Sequence, residues 1–308
     1  MVVGSIREGK LKDLGRLITA MVTPFKDDGS VDYGQAKRLA LALLKSGSDD
    51  LVVVGTTGES PTLLRDEELR LFSEIKSAVG GQGSVIAGTG SNSTAEAIEA
   101  TRAAEKTGVD ACLLVVPYYN KPTQDNLYRH FKAIAESTSL PCILYNVPSR
   151  TVVSLAADTV IRLSKVDNII GVKEASGNLG EIARIIENTG DDFIVWSGND
   201  TDTLPILALG GYGVISVASN IIGIQIREMI DSFLSGKTGR AAEIHRHLMP
   251  LINALFVIAN PIPIKYAMNH IGFKVGSTRP PLYEADEKTA SLIREALKNY
   301  KIDLPVQD

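Results

Sequence analysis

Asn168-Ile169-Ile170-Gly171-Val172-Lys173-Glu174-Ala175-Ser176-Gly177 is an apolar run that ends in a lysine and then breaks into a small-residue turn. Apolar residues in succession between polar boundaries read as a strand covered on both faces, as in a parallel sheet. A lysine closing such a strand is the anomaly. With a pleat of period two, Ile169, Gly171 and Lys173 share one face, and Gly171, lacking a side chain, leaves room for the lysine stem. That face is expected to be the inside of a barrel. An ammonium is disfavoured in a low-dielectric interior, so a lysine there offers its neutral amine, a nucleophile that condenses with carbonyls. The alternative is a solvated strand end on which Lys173 and Glu174 are ordinary surface charges.

Outward from this stretch the chain alternates short apolar runs with longer helical patterns. The runs are 17–22, 51–54, 85–87, 111–116, 142–145, 169–173, 193–196 and 213–217. Between them apolar residues recur every three to four positions, as at Ala36, Leu39, Leu43 and Leu44, at Ala97, Ile98 and Ala104, and at Ile182, Ile185 and Ile186. Asp32, Thr123 and Ser154 read as helix starts. Strand and helix units repeating at roughly 30-residue spacing predict an α/β fold, a (β/α)8 TIM barrel. A doubly wound open sheet is the alternative, but Thr23-Pro24-Phe25 stands where a dinucleotide-binding fold would place its Gly-x-Gly-x-x-Gly turn. From about Ser235 further helical patterns, with a loop at Asn260-Pro261-Ile262-Pro263, predict a C-terminal helical appendage. The expected division is an N-terminal extension over 1–16, a barrel over 17–235 and a helical region over 236–308.

Composition narrows the functional classes. At 308 residues, 22% charged, with a net charge of -4, the chain has no basic excess to suit nucleic acid. Cys112 and Cys142 both sit inside apolar runs, so buried reduced thiols are expected, and with them a cytoplasmic setting. Residues 1–16 mix Arg7, Lys10, Lys12 and Arg16 with Glu8 and Asp13 and lack the apolar centre of a signal peptide. No stretch is long and apolar enough to span a membrane. His130, His245, His247 and His270 are scattered, and the two-residue spacing of His245 and His247 puts them on different sides of a helix, so no metal site is expected.

In a (β/α)8 barrel the chemistry lies where the strands end, so the residues just after each run carry the functional reading. Gly55-Thr56-Thr57-Gly58-Glu59-Ser60 offers two hydroxyls on a glycine-relaxed backbone that could hold a carboxylate, or is a plain turn. Pro117-Tyr118-Tyr119-Asn120-Lys121-Pro122 pairs two tyrosines that also suit surface or interface packing. In Tyr145-Asn146-Val147-Pro148-Ser149-Arg150-Thr151, a tyrosine that shuttles protons and a guanidinium that clamps a carboxylate would meet in the mouth that holds Lys173. Alternatively, Tyr145 is a core residue and Arg150 a surface charge. Gly210-Gly211-Tyr212-Gly213, with strand eight, could form a phosphate site or let a small substrate approach the backbone.

Together these motifs and Gly171-Val172-Lys173-Glu174-Ala175 resemble the dihydrodipicolinate synthase family of pyruvate-dependent class I aldolases and lyases. The resemblance runs from about Gly15 to the C-terminus and includes Gly211-Tyr212-Gly213-Val214-Ile215-Ser216 and Asn260-Pro261-Ile262-Pro263-Ile264-Lys265. It implies that Lys173 forms a Schiff base with pyruvate and that Tyr145 gives and takes protons. Thr56 and Tyr119 complete a hydroxyl relay, Tyr119 reaching across from a neighbouring subunit. Thr57 and Ile215 match pyruvate-binding positions, and Arg150 matches the residue that holds the carboxylate of aspartate semialdehyde. No cofactor beyond the covalent Schiff base is implied, and the expected assembly is a homotetramer built as a dimer of dimers.

Within the same resemblance, Ser60, Asn92, Glu96 and Tyr118 match positions that contact a lysine effector. Arg65 and Glu68 stand where lysine-sensitive members often carry histidines or related polar groups, and weak or absent inhibition by lysine is expected. Val152 replaces a residue that is often Gly. The alternative activities are an N-acetylneuraminate lyase or 2-keto-3-deoxy sugar acid aldolase using the same lysine and tyrosine, or a non-catalytic barrel that binds a keto acid.

Overall fold

The structure, a computed structural model, describes residues 14–306. The first thirteen positions of the expected N-terminal extension, 1–13, lie outside the described residues. Eight parallel strands close into a barrel in chain order. They are β1 (Leu17–Ala20), β2 (Asp50–Val53), β3 (Val85–Gly88), β4 (Ala111–Val115), β5 (Cys142–Asn146), β6 (Ile169–Glu174), β7 (Ile194–Ser197) and β8 (Gly213–Ser216). The helices between and after them are α1 (Tyr33–Lys45), α2 (Arg65–Val79), α3 (Thr94–Glu105), α4 (Gln124–Ala135), α5 (Pro148–Thr151), α6 (Ala157–Leu163), α7 (Leu179–Asn188), α8 (Thr203–Ala208), α9 (Ser219–Leu234), α10 (Thr238–Leu255), α11 (Ile262–His270) and α12 (Glu287–Leu297). The closed barrel is the expected architecture, and each expected run overlaps one strand. Among the described residues no helix is long and apolar enough to cross a membrane.

The helical periodicity has a direct packing counterpart. Ala36, Leu39 and Leu43 of α1, Ala97 and Ala104 of α3, and Ile182 and Ile185 of α7 are buried against the barrel. Asp32 caps α1, its carboxylate accepting from the Gln35 N–H at 2.9 Å, which satisfies a donor the helix leaves free. Thr123 occupies the N-cap of α4 without a side-chain hydrogen bond. Ser154 does not start a helix. The next helix, α6, begins three residues later, and Ser154 instead receives Asn146 Nδ2 on its hydroxyl and Gln124 Nε2 on its carbonyl. Cys112 and Cys142 are free, buried and directly paired in register across β4 and β5, with sulfurs 3.4 Å apart. The C-terminal helices pack on the barrel through one continuous core in which Leu251, Ile264 and Ile293 join Leu39, Phe72 and Ile221.

Inside the barrel, Ile18, Val52, Ile86, Leu113, Ile143, Ile170, Trp196 and Ile215 form one cluster. Ile169 is not among them; it packs outward with the helix-facing Val172 and Leu144. The expectation that Ile169 shares a face with Lys173 is therefore corrected. A register shift opposite Cys142 and Ile143 places Ile169 across from Cys142 and Gly171 across from Ile143, so Ile170 is an inserted residue. Such a bulge breaks the two-residue period and swaps which isoleucine faces inward. The space at Gly171 is also used differently from expectation. A Cβ there would fall 2.3 Å from Ile194 O and 2.8 Å from Trp196 Cζ3, so Gly171 admits the indole of β7. Gly198 is the glycine that fronts the lysine, since a Cβ there would lie 3.1 Å from Lys173 Cγ.

Candidate active site

Lys173 lies at the C-terminal end of β6 and is 5% exposed, with Glu174 at 2%. A solvated strand end is excluded. Lys173 pairs in register with Tyr145 of β5, and its Nζ sits 4.2 Å from the centroid of the tyrosine ring. Both side chains fill the upper layer of the barrel above Trp196 and Ile143. Glu174 points to the other face, where Asn146 Nδ2 donates to both carboxylate oxygens at 3.1 and 3.0 Å and Ser176 N donates at 2.8 Å. Burial pushes the Glu174 carboxyl up, and these donors hold it partly down. The pair locks the ends of β5 and β6 side by side, so the strands carrying Tyr145 and Lys173 keep their register.

Sequence reasoning passed over Asp200. This carboxyl follows β7 and is buried, accepting from Ser216 Oγ at 2.5 Å and from the N–H groups of Val217 and Ala218 at 3.1 and 3.2 Å. Burial raises its pKa, whereas those hydrogen bonds and the positive charge of Lys173 lower it. The net shift is upward, and the ionised form of Asp200 is the one suited to stabilise a cation at Lys173, whether ammonium or iminium. The Ser197-Gly198-Asn199-Asp200 stretch after the seventh run carried the signal, a glycine and an acid at a strand end.

The turn after β2 supplies the threonines. Thr57 is buried and Thr56 half-buried. Glu59 N donates to Thr56 O at 3.1 Å, Thr23 Oγ1 donates to Gly58 O at 2.6 Å, and a Cβ on Gly58 would approach Val54 Cα to 3.1 Å. Ile215 of β8 is fully buried among the inward-facing residues. A cavity of about 330 Å³ opens beside this layer, lined by Thr56, Val115, Val147 and Arg150 together with Ser60, Glu96 and Tyr118. Val115 is the register partner of Tyr145, so the cavity adjoins the lysine–tyrosine pair. Arg150 is exposed, with its guanidinium 3.3 Å from Asn260 O.

The residues matching an effector site line that same cavity, except Asn92. Asn92 Nδ2 donates to Tyr118 O at 3.2 Å and its carbonyl accepts from Asn120 at 2.8 Å, so it braces the tyrosine loop. Glu96 is already engaged by Ser91 Oγ at 2.9 Å, and Arg65 pairs with Glu68 at 2.5 Å. Burial pushes the Glu68 carboxyl up to about 7, against the pull of Arg65. Tyr119 leaves the cavity altogether: it is 88% exposed with φ +73, a left-handed conformation that a non-glycine residue holds only when its surroundings impose it.

Two expectations meet different ground. The Gly210–Gly213 segment leads into β8, whose first residue is Gly213, and lies at the opposite end of the barrel, where Arg16 donates to Tyr212 O at 2.7 Å. It therefore offers this site neither phosphate nor substrate contacts, and a Cβ on Gly213 would strike Arg16 O at 2.0 Å, which explains that glycine by strand contact. Val152 sits at φ +65 as the residue ending α5 and is 70% exposed. A β-branched side chain there costs about 1–2 kcal/mol, partly offset in the comparison with glycine by the latter's greater unfolded-state freedom. Val152→Gly is expected to stabilise the protein by about 1 kcal/mol, read as a rise of roughly 2 °C in a thermal melt; a fall would show that the loop prefers valine.

These features coincide with a set of known proteins. The family model described as the dihydrodipicolinate synthetase family matches residues 13–300. A 4-hydroxy-tetrahydrodipicolinate synthase from Dehalococcoides mccartyi is 70% identical over 297 residues, covering 96% of this chain and all of that protein. A dihydrodipicolinate synthase from Cyanidioschyzon merolae solved with lysine bound aligns with a TM-score of 0.91 at 50% identity, over 93% of this chain and 98% of that one. A structure described as the first monomeric dihydrodipicolinate synthase variant aligns at 0.91 and 44% identity, over 93% and 96% of the two chains. With a closed barrel, a buried lysine against a tyrosine at its mouth and a match across almost its whole length, the chain belongs to the dihydrodipicolinate synthetase family.

Proposed function

We propose that the chain is a lyase that condenses pyruvate with L-aspartate 4-semialdehyde, as a 4-hydroxy-tetrahydrodipicolinate synthase in the diaminopimelate route to lysine. The observation that carries this reading is the buried Lys173 with its Nζ 4.2 Å from the Tyr145 ring centroid. The amine adds to the ketone carbon of pyruvate, water leaves, and loss of a C3 proton gives an enamine that attacks the aldehyde. Protons must reach the departing hydroxyl and leave C3, which is work for Tyr145, Thr56 and Tyr119. Thr57 and the backbone of its turn hold the pyruvate carboxylate, and Ile215 packs against the small substrate. Asp200 balances the iminium charge. The protonated imine formed between Lys173 and pyruvate is the electron sink when C3 loses its proton, so the reaction calls for no metal or organic cofactor. Incubation with pyruvate and borohydride should add a reduced three-carbon adduct to Lys173, located by peptide mass spectrometry. An unmodified Lys173 in protein that turns over would overturn the assignment.

Arg150 favours this reading over a sugar-acid aldolase or a non-catalytic keto-acid-binding barrel. A guanidinium at the cavity suits an acceptor bearing a carboxylate, whereas a polyol chain calls for neutral hydroxyl-reading groups. Parallel assays with aspartate semialdehyde and with sugar-acid substrates distinguish the two, and trapping without turnover would identify a sensor. The buried free thiols support action in the cytoplasm, where thiols stay reduced.

Tyr119 is read as serving a neighbouring subunit, within a homotetramer assembled as a dimer of dimers. Its outward pose and positive φ support the first part. Mixing inactive Tyr119→Phe with inactive Lys173→Ala and allowing subunit exchange should restore activity, because one hybrid site then carries both native groups. Verified hybrids that stay silent would place Tyr119 outside the relay.

Weak inhibition by lysine is the regulatory reading for the cavity. Arg65 compensates Glu68, which is only partly ionised near neutral pH, so Glu96 is the one uncompensated carboxylate of the cavity lining for the two ammonium groups of a lysine effector. The Cyanidioschyzon merolae relative with lysine bound makes the measurement pointed. Lysine titrated into the steady-state assay is expected to inhibit only above about 1 mM, a binding free energy weaker than about -4 kcal/mol; cooperative submillimolar inhibition would reverse this reading.

A further inference from the structure

Behind the threonine turn lies a buried charge pair that the chemistry above does not use. Lys265 of α11 and Glu59 are 2% and 1% exposed, and Lys265 Nζ lies 2.6 Å from Glu59 Oε1. The ammonium also donates to Ser277 O at 2.8 Å and sits 4.1 Å from the centroid of the Phe25 ring. The second Glu59 oxygen accepts from Arg279 N at 2.8 Å. Arg279 then spreads the anchor: it donates to Gly29 O and Thr62 O, and grips both oxygens of Glu67 on α2 at 2.7 Å. Neither Glu59 nor Lys265 lines the cavity.

An ion pair this deep is a poor way to gain stability, since two apolar side chains would serve as well or better. What it does supply is a fixed geometry at a turn that would not hold it unaided. Glu59 is left-handed at φ +60, its N–H closes the turn onto Thr56 O, and its carbonyl accepts from Thr62 N at 3.0 Å. Fixing the Glu59 carboxylate therefore fixes the backbone on which Thr56 and Thr57 ride.

We propose that Lys265 and Glu59 are positioning residues through which the C-terminal helical region aims Thr56 and Thr57 at pyruvate. The proposal rests on the reading of those threonines given above. It makes α11 part of the pyruvate site without touching substrate. It also gives the site a sensitivity to alkali. Burial lowers the Lys265 pKa to about 8, against the opposing pull of Glu59, with Arg279 lowering it further. The charged groups facing the ammonium are Glu59 and Arg279, and Glu67 and Tyr33 face Arg279 in turn. The cation is thus present below about pH 8 and lost above it, at which point Glu59 loses its partner.

The test compares wild type, Lys265→Arg and the charge-free Glu59→Gln/Lys265→Met pair by borohydride trapping, steady-state kinetics from pH 7 to 9 and thermal melting. The paired variant is expected to melt as a folded protein and still trap pyruvate on Lys173. Its KM for pyruvate should rise about tenfold, a factor equivalent to about 1.4 kcal/mol, with the KM for aspartate semialdehyde changed less than twofold. In wild type the KM for pyruvate should climb as pH passes about 8, and Lys265→Arg should move that limb upward. A folded pair with an unchanged pyruvate KM, or identical pH limbs in wild type and Lys265→Arg, would overturn the proposal. If the pair does not fold, the comparison of limbs decides alone. No Lys173 adduct in wild type would instead bring down the reading of the site beneath it.

Discussion

Lys173→Ala should abolish borohydride trapping of pyruvate and lower kcat by about 10⁴-fold or more, the scale seen when a covalent nucleophile is removed. Among the described residues Lys173 and Lys265 are the buried lysines. Lys265 is held by Glu59 and Ser277 O on the far side of the threonine turn. The fold should survive, because truncating Lys173 leaves Asp200 with three hydrogen bonds and leaves the Asn146–Glu174 lock untouched. Circular dichroism and a cooperative melt close to wild type would confirm that chemistry alone was lost. A variant that retains more than a few per cent of activity would mean that the reaction does not pass through this amine.

Arg150→Ala should separate the two substrates. Its guanidinium lines the cavity and is exposed in the single chain, with one carbonyl contact to Asn260. A charge-assisted hydrogen bond to a substrate carboxylate is worth about 1.5–3 kcal/mol, so kcat/KM for aspartate semialdehyde should fall about 10- to 150-fold. The exposure argues for that range in preference to the larger loss expected for a fully buried pair. The rate of adduct formation with pyruvate should change by less than threefold. Equal losses in both steps would show that Arg150 supports the loop after β5 and does not read the second substrate.

The barrel was legible because its strands and helices write different periods, and because Lys173 breaks an apolar strand at the end where barrels do chemistry. Lys173 and Tyr145 close their runs and meet at the barrel mouth, whereas Thr56 and Arg150 follow theirs by two and five residues and line one cavity. What sequence could not reveal depended on register and on distant pairing. One inserted residue at Ile170 reversed the facing of Ile169, and no pattern in Asn168-Ile169-Ile170-Gly171 distinguishes a bulge from a regular strand. Gly171 made room, but for Trp196, a residue met only after β7 closes alongside β6. The Glu59–Lys265 pair spans more than two hundred positions and joins a turn read from sequence to a helical residue just past the expected loop at Asn260-Pro261-Ile262-Pro263. Asp200 was passed over because its burial in the field of the amine depends on how β7 and β8 close beside β6.

The packed barrel interior has a consequence for traffic. Beneath Lys173 the lumen is filled by Trp196, Ile170, Ile143, Leu113 and Ile18, and the indole N–H of Trp196 ties that plug to Gly15 O at the far rim. With that end filled, the water expelled when pyruvate is captured, the incoming aldehyde and the outgoing product share the C-terminal mouth of the barrel, beside the cavity lined by Thr56, Val115 and Arg150.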